Sequence, residues 1–427
     1  MNRHKYEFFS LIILLYLYFV VMKSLFLKSI LFIVLLGSCI YAICYYCNLL
    51  KYTQAINFLL YASAAIIGGI SLFVNRRIIF NFSFALVGSA FLWMFLSGIF
   101  QNSINQVLPS ACRYFAYLTF ANLSYLYVLQ NGVDAFIEIN KKFLIYSVAL
   151  SLFWGIIEII SGDIDYLNGA YRFAGSFKKH QLATALFTYV LLILYREFFF
   201  KHKKKIFSFS IYFILLGFLV ATQSRAVLGI FFIVHFLYYL FRVRSVKKLI
   251  LLAAGAMLVM GIFYYVVVYT DFMPRYKTML IGDHGIYDAS TLERLDIMYD
   301  SIDNLKGEHK IWGIGLGGFE AFYRSITGRE DVAAHNNYLL FYTEGGYIAL
   351  GLYLLFQLVL GLNLIKNIRR RPEKLARPTF MLFFGITVMS FLLNNYYFYC
   401  SELLVWSFIG GYLAERKYEK NIIFSAK

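Results

Sequence analysis

Away from its apolar runs this sequence offers few side chains that could do chemistry, and they come in short groups. One is Tyr171-Arg172-Phe173-Ala174-Gly175-Ser176-Phe177, and a second is Thr222-Gln223-Ser224-Arg225. Arg294 stands in a third, followed by His335-Asn336-Asn337 and then by Glu344-Gly345-Gly346. A guanidinium keeps its charge at any ordinary pH, and its planar fork matches phosphate oxygens, so Arg172, Arg225 and Arg294 together read as an anion site. A histidine has an ordinary pKa of about 6.5. Neighbouring arginines would push that of His335 down and keep the ring neutral, the state a general base requires. Asn336 and Glu344 are the supporting polar groups. Each of these residues also has a plainer reading. An arginine at a membrane mouth is often a snorkelling anchor, and a lone histidine is often structural.

The elements that must position these groups are membrane helices. Of the 427 residues 61% are hydrophobic and only 15% charged, and mean hydropathy is +0.67. Soluble domains carry about 45–50% apolar and about 25% charged residues. The chain has too few charges to close around one aqueous core, which excludes a soluble enzyme, a disordered chain and a collagen-like chain. Only four prolines argue against long linkers. A crossing helix needs about 20 apolar residues. Candidate spans are 7–22, 29–48, 54–74, 79–100, 112–130, 143–161, 182–200, 206–222, 226–241, 249–270, 338–365 (long enough to hold a break), 379–396 and 398–414. The expectation is an all-α polytopic protein, one integral membrane domain over 1–427, with twelve or thirteen crossings.

The formal net charge is +17. In a soluble protein that would point to nucleic acid. Here the basic residues cluster between apolar runs and serve as positive-inside signals, so nucleic acid is set aside. Lys201 to Lys205, Arg242 to Lys248, Arg369 to Arg377 and Arg416-Lys417 belong to the cytoplasmic side. Segments 162–181, 222–226 and 271–337 then lie outside, and all the groups named above fall at that face. Thirteen spans would put the N-terminus outside as well, against Arg3 and Lys5, so one of the first two segments need not cross fully. The 271–337 loop stands out. Asp271 to His335 holds 11 acids and 7 bases. Loops of that length are usually functional. Ser290-Thr291-Leu292-Glu293 reads as a capping box; Leu295, Met298, Ile302 and Leu305 share a helix face; Gly307 ends the run. The loop should fold onto the outer mouth of the bundle.

Other candidates are weaker. Cys44-x-x-Cys47 has metal or redox spacing but sits in an apolar run with no second pair. Gly313, Gly315, Gly317 and Gly318 follow no strand and precede no Lys-Ser/Thr, so they read as close backbone packing rather than a nucleotide loop. His235 reads as a helix–helix polar contact. Glu158 and Glu402 are intramembrane carboxylates with no partner that the sequence names. The first apolar segment has no small-residue cleavage site and reads as an uncleaved helix. No Asp or Glu occurs between Glu7 and Asp134. No metal ligands and no cofactor are expected, and charge stabilisation falls to arginine.

In that order, Arg172 with Gly175-Ser176-Phe177, Thr222-Gln223-Ser224-Arg225-Ala226, Arg294, Trp312-Gly313-Ile314-Gly315-Leu316-Gly317, Ala334-His335-Asn336-Asn337-Tyr338-Leu339 and Glu344-Gly345-Gly346 resemble the O-antigen polymerase and O-antigen ligase superfamily of bacterial envelope polysaccharide enzymes. The resemblance covers roughly 170–350. Two departures stand in it: Lys178-Lys179-His180-Gln181 where the family often has Pro-Asn, and Ala226 where it often has Gly. What the resemblance implies is an inverting, metal-independent glycosyltransferase of the bacterial inner membrane, its site facing the periplasm or exterior. The donor would be an undecaprenyl-diphosphate-linked oligosaccharide and the acceptor a glycan hydroxyl. His335 would deprotonate the acceptor; Arg225 and Arg294, with Arg172 as a weaker third, would hold the diphosphate. The expected partners are this donor, the acceptor, membrane lipid and a chain-length regulator protein. The Tyr/Phe/Lys/Ile-rich composition leans toward an O-antigen or capsule polymerase over a ligase acting on lipid A–core. A lipid-linked oligosaccharide flippase is the rival from another class, and it predicts internal repeats that the sequence lacks.

Overall fold

The computed structural model describes residues 3–47, 53–75, 78–79, 81–167, 170–177, 180–200, 205–270, 273–281, 289–330, 332–370, 374–391 and 399–425. In chain order the elements are α1 (Arg3–Tyr46), α2 (Thr53–Asn75), α3 (Phe82–Gln101), α4 (Ile104–Ser161), β1 (Asp165–Leu167), β2 (Ala170–Arg172), a 3-10 turn (Gly175–Phe177), α5 (Gln181–Phe199), α6 (Lys205–Ala221), α7 (Arg225–Arg242), α8 (Val246–Tyr269), α9 (Pro274–Ile281), α10 (Ala289–Asn304), α11 (His309–Trp312), α12 (Phe319–Thr327), α13 (Asn337–Arg370), α14 (Ala376–Met389) and α15 (Tyr399–Ser425). Among the described residues eight helices are long and apolar enough to cross a membrane, and α6 and α14 are shorter apolar helices. The chain is an all-α multi-pass membrane protein, and a short hairpin among the described residues, β1–β2, is antiparallel.

Helices and expected spans do not map one to one. The 7–22 segment and the described helical part of the 29–48 segment, to Tyr46, form a single helix, α1, of 44 residues. They are not two crossings of opposite sense, because Lys23-Ser24-Leu25-Phe26-Leu27-Lys28 contains no glycine or proline to turn the chain. Conversely, 112–130 and 143–161 both lie in the 58-residue α4, which bends at Gly132 (φ 82, ψ 169). Only glycine takes that backbone without strain. The break allowed for in 338–365 falls at Gly346 (φ 65, ψ −167) in α13.

The centre of the bundle is α4 with α15 along it; α3 lies along α13 and α2 along α4. Small residues set the α4–α15 approach. Ser124 and Ser407 hydroxyls meet at 2.8 Å, and a Cβ on Gly410 would fall 1.9 Å from the Ala121 carbonyl oxygen. The loop between α8 and α13 has a core of its own, formed by Ile297, Phe319, Tyr323, Ala334, Leu339 and Leu340. The buried face of α10 is Ile297 and Ser301, with Leu305 buried just past its end, while Ile302 is 40% exposed. The face expected from Leu295, Met298, Ile302 and Leu305 is thus turned by about one position. The side chain of Ser290, first residue of the expected capping box, lies outside the described residues.

Candidate functional site

The first group is assembled by the hairpin. Asp165 pairs with Arg172 across β1–β2. Beyond β2, the Phe173 N–H donates to the Ala221 carbonyl at the end of α6 (3.0 Å). The Arg172 Nε donates to the Thr222 carbonyl (3.2 Å). From the other side Glu158 of α4 holds the same segment: its carboxylate accepts the Ala174 N–H at 3.1 Å and also the Gly175 N–H. Glu158 therefore has a partner after all, the backbone that carries Arg172. The turn before α7 is strained. Gln223 has φ 53, and among the described residues the other non-glycine with positive φ is His335, at φ 50. Such backbone clusters at functional sites. Ser224 is the N-cap of α7 without a side-chain cap bond, and Arg225 is the first helical residue.

Tyr276 of α9 is a buried phenol within reach of the charges of this group. Burial pushes its pKa up, and the charges of Arg225, Arg275 and Arg172 pull it down. Arg275 and Tyr276 were not among the residues singled out from sequence. The signal that found the other arginines was available for Arg275, a cation just past the 249–270 span on the face where few are expected.

The second group is His335 with Arg294. The loop core seats α10 so that Arg294, one turn before Ile297, acts on His335. The imidazole pKa is lowered, first by burial and then by the Arg294 charge, with Glu293 opposing. Arginine does push it down as expected, but burial is the larger cause. Asn336 caps α13: its Oδ1 accepts the Tyr338 and Leu339 N–H groups at 2.8 and 3.0 Å. Its Nδ2 donates to the Phe391 carbonyl (3.2 Å). Asn336 thereby holds the backbone on which His335 is mounted.

Glu344 does something similar for the glycine-rich turn. Its carboxylate accepts the Phe319 N–H at 3.4 Å. Ile314 and Gly315 N–H groups donate to the Thr343 and Glu344 carbonyls (2.8 and 2.9 Å), and Leu316 N–H to Met94 (3.1 Å). Asn102 of α3 donates to the Ile314 carbonyl (2.9 Å), and Trp312 stacks on Trp93 at 4.7 Å. A Cβ on Gly313, Gly315 or Gly317 would strike the backbone of Glu344, Gly98 or Gln106, and all three glycines have positive φ. The expected reading as close backbone packing holds.

Both groups lie at one end of the bundle. Arg377, at the start of α14, stands 4.8 Å over the Tyr238 ring near the end of α7. At the far end of α14, the Ser390 carbonyl accepts the Asn337 N–H where α13 begins (2.9 Å). Arg225 at the start of α7 and His335 before α13 thus share that second end. Of the remaining candidates, His235 is a correction. Its Nδ1 pairs with the Phe231 carbonyl of its own helix at 2.6 Å rather than across helices. Glu402 is buried in the first turn of α15.

No curated protein matches the chain. Residues 210–354, which include Arg225, Arg294, His335, Asn336 and Glu344 and leave out Arg172, match the O-antigen ligase family model, and the resemblance to the O-antigen polymerase and ligase superfamily is borne out.

Proposed function

We propose that this protein polymerises polyprenyl-diphosphate-linked oligosaccharide repeat units into O-antigen or capsular polysaccharide at the outer face of the inner membrane. The family match carries the coarser statement, an activity of the O-antigen ligase or polymerase type. In the mechanism we propose, His335 takes the proton of the acceptor hydroxyl while that oxygen attacks the anomeric carbon of the donor. The bond to the lipid diphosphate breaks with inversion, and Arg225, Arg294 and Arg172 meet the charge that develops on the leaving group. The observation that carries this reading is that the Arg172 Nε is bonded to the turn that presents Arg225, at the same bundle end as His335, whose pKa burial and the Arg294 charge hold down. Asn336 and Glu344 support it by fixing the His335 backbone and the glycine turn. The diphosphate-linked donor, a second lipid-linked glycan as acceptor, membrane lipid and a chain-length regulator are the proposed partners.

The alternative acceptor is lipid A–core, as the matched family's description as O-antigen ligase favours. Deleting the gene separates the two. Loss of a polymerase leaves lipopolysaccharide with a single repeat, and loss of a ligase leaves core alone. Turnover by the purified protein with a lipid-linked donor should persist in excess EDTA. Loss there, restored by Mg²⁺ or Mn²⁺, would overturn the role given to arginine.

A further inference from the structure

The helices that brace the glycine turn leave between them an apolar groove that the proposed mechanism does not use. α3 lies along α13 while α2 lies along α4, so space opens where α3 faces the other two. Two cavities occupy it, of about 600 and about 430 Å³. Both are lined by Gly88, Phe115 and Leu118, so they form one channel. On α3 the lining runs from Phe82 to Phe95, about 20 Å of helix. All three helices are long and apolar enough to cross a membrane, so the groove opens to hydrocarbon. The polar members of its wall are engaged within the protein. Asn122 Oδ1 accepts the Ile79 N–H at 2.7 Å, and Asn81 Oδ1 accepts the Ser83 N–H at 3.0 Å. The Thr119 hydroxyl donates to the Phe115 carbonyl at 2.8 Å.

Two further observations point to the occupant. One end of the groove is Leu316, in the glycine turn. Its N–H is fixed on the Met94 carbonyl at 3.1 Å. A little further along the chain, Phe319 packs in the loop core with Ala334, the neighbour of His335. The groove thus leads from the membrane face of the bundle to the element beside the proposed general base. The second observation is Gly88. Glycine within a membrane helix usually admits a neighbouring backbone, as Gly410 admits Ala121. A Cβ on Gly88 would instead meet open space, at the place where the two cavities join.

We propose that this groove seats the polyprenyl chain of the lipid-linked donor, with the isoprene units nearest the diphosphate at Leu316 and the chain passing Gly88 toward Phe82. The inference rests on the functional reading above and adds to it the seat of the lipid. A chain anchored by its diphosphate at the site must leave past the glycine turn; a phospholipid tail has no such tie. The chain makes and breaks no bonds. Its contacts are equal in the ground and transition states, so they act on donor binding and not on the chemical step.

The test uses the full-length protein in lipid nanodiscs. The probes are undecaprenyl diphosphate and dimethylallyl diphosphate, the same headgroup on a long chain and on a single isoprene unit. Gly88→Phe should weaken undecaprenyl diphosphate about fivefold, a loss of packing rather than a transfer from water. Dimethylallyl diphosphate should bind the variant as it binds wild type. In turnover the donor KM should rise by the same factor with kcat held. An independent measurement needs no variant. A polyprenyl diphosphate with a photoreactive group in mid-chain should crosslink to wild type within 82–95 or 108–122. Excess undecaprenyl diphosphate should displace it, and excess phosphatidylglycerol should not. Unchanged undecaprenyl diphosphate affinity in Gly88→Phe, equal loss of both probes, or crosslinks outside those segments would each overturn the proposal. So would displacement by phosphatidylglycerol, which would make the groove an ordinary lipid site. The functional reading fails separately. If the crosslinks fall as described but His335→Ala still extends glycan, the groove stands and the transfer mechanism falls. If His335→Ala is inactive while the crosslinks lie elsewhere, the reverse holds.

Discussion

The two ends of the α7–α14 pair handle arginine in opposite ways. At the end where α14 begins, cations meet acids and rings. The Arg377 Nε lies 2.8 Å from Glu197 Oε1 and its guanidinium 4.8 Å over Tyr238. Arg242 donates to the Tyr238 hydroxyl at 2.7 Å, and Lys374 reaches the Asp134 carboxylate at 2.6 Å. At the other end the Arg172 Nε is held on the Thr222 carbonyl at 3.2 Å, in the turn that leads to Arg225, and the charge of Arg294 acts on the His335 imidazole. Opposite charges held at contact distance close an interface. The strained residues Gln223 and His335 both belong to the second end. One end is thus a stitched seam, and the other, the proposed receptor end, carries the residues proposed to meet the diphosphate. The same residue type serves both, so composition alone cannot tell them apart.

The contrast breaks most visibly at His335. His335→Ala should lower glycan extension by about 10²–10⁴-fold, the span of general-base catalysis, with the protein still folded in the membrane. Arg225→Ala should be comparably inactive, since a helix-mounted cation is lost from the developing diphosphate. Full extension in either variant, measured by polysaccharide ladders in a deletion strain, removes that residue from the mechanism.

The stitched end should respond in stability instead. Glu197 is buried and Arg377 only a quarter exposed, so Glu197→Gln leaves a guanidinium with its charge uncompensated, at a cost of about 3 kcal/mol. Replacing both residues by Met should recover most of that, because an apolar pair pays no desolvation. Transfer per folded molecule should be unaltered. Wild-type melting with lost transfer would place the pair in the active machinery and erase the distinction between the ends.

Much of this was legible in the sequence. Spans follow from hydropathy, and the break in α13 from the length of the 338–365 run. The glycine turn followed from the absence of a strand before it and of a Lys-Ser/Thr after it. What escaped has physical causes. Hydropathy sees length but not direction, so α1 was read as two segments although nothing between them turns a helix. The face of α10 was set by apolar residues alone, yet Ser301 is buried with its hydroxyl satisfied by the Ile297 carbonyl at 2.6 Å. The partner of Glu158 is backbone, Ala174 and Gly175, which carries no residue-type signal. Tyr276 is one tyrosine among 36; only its burial and its neighbours distinguish it.

The loop that carries half of the receptor end should be sensitive to its glycines in a graded way. Gly315→Ala places a Cβ 2.6 Å from the Gly98 Cα at φ +82. It combines backbone strain of about 1–3 kcal/mol with a clash that lifts the loop from α3. Gly328→Ala has a similar φ, +72, but open space around it, and should show the strain alone. Limited proteolysis of the loop should rise strongly in the first and little in the second, with transfer falling in the same order. Equal effects would mean that docking on α3 contributes nothing to the site.

The finest test is the pH profile. His335 acts in its neutral form, and its pKa lies below the ordinary histidine value, so activity should fall only as pH drops through that lowered pKa. Arg294→Gln removes a charge that lowers it, so the pKa rises and the acidic limb should move to higher pH. Glu293→Gln removes the opposing charge, so the limb should move to lower pH. Both shifts should be small, because burial is the larger cause and neither variant alters it. Opposite movements from adjacent residues on one helix cannot come from a general loosening of the loop, which would re-expose the ring and move both limbs the same way. A limb fixed in both variants would mean that the proton titrated in turnover is not the one on His335.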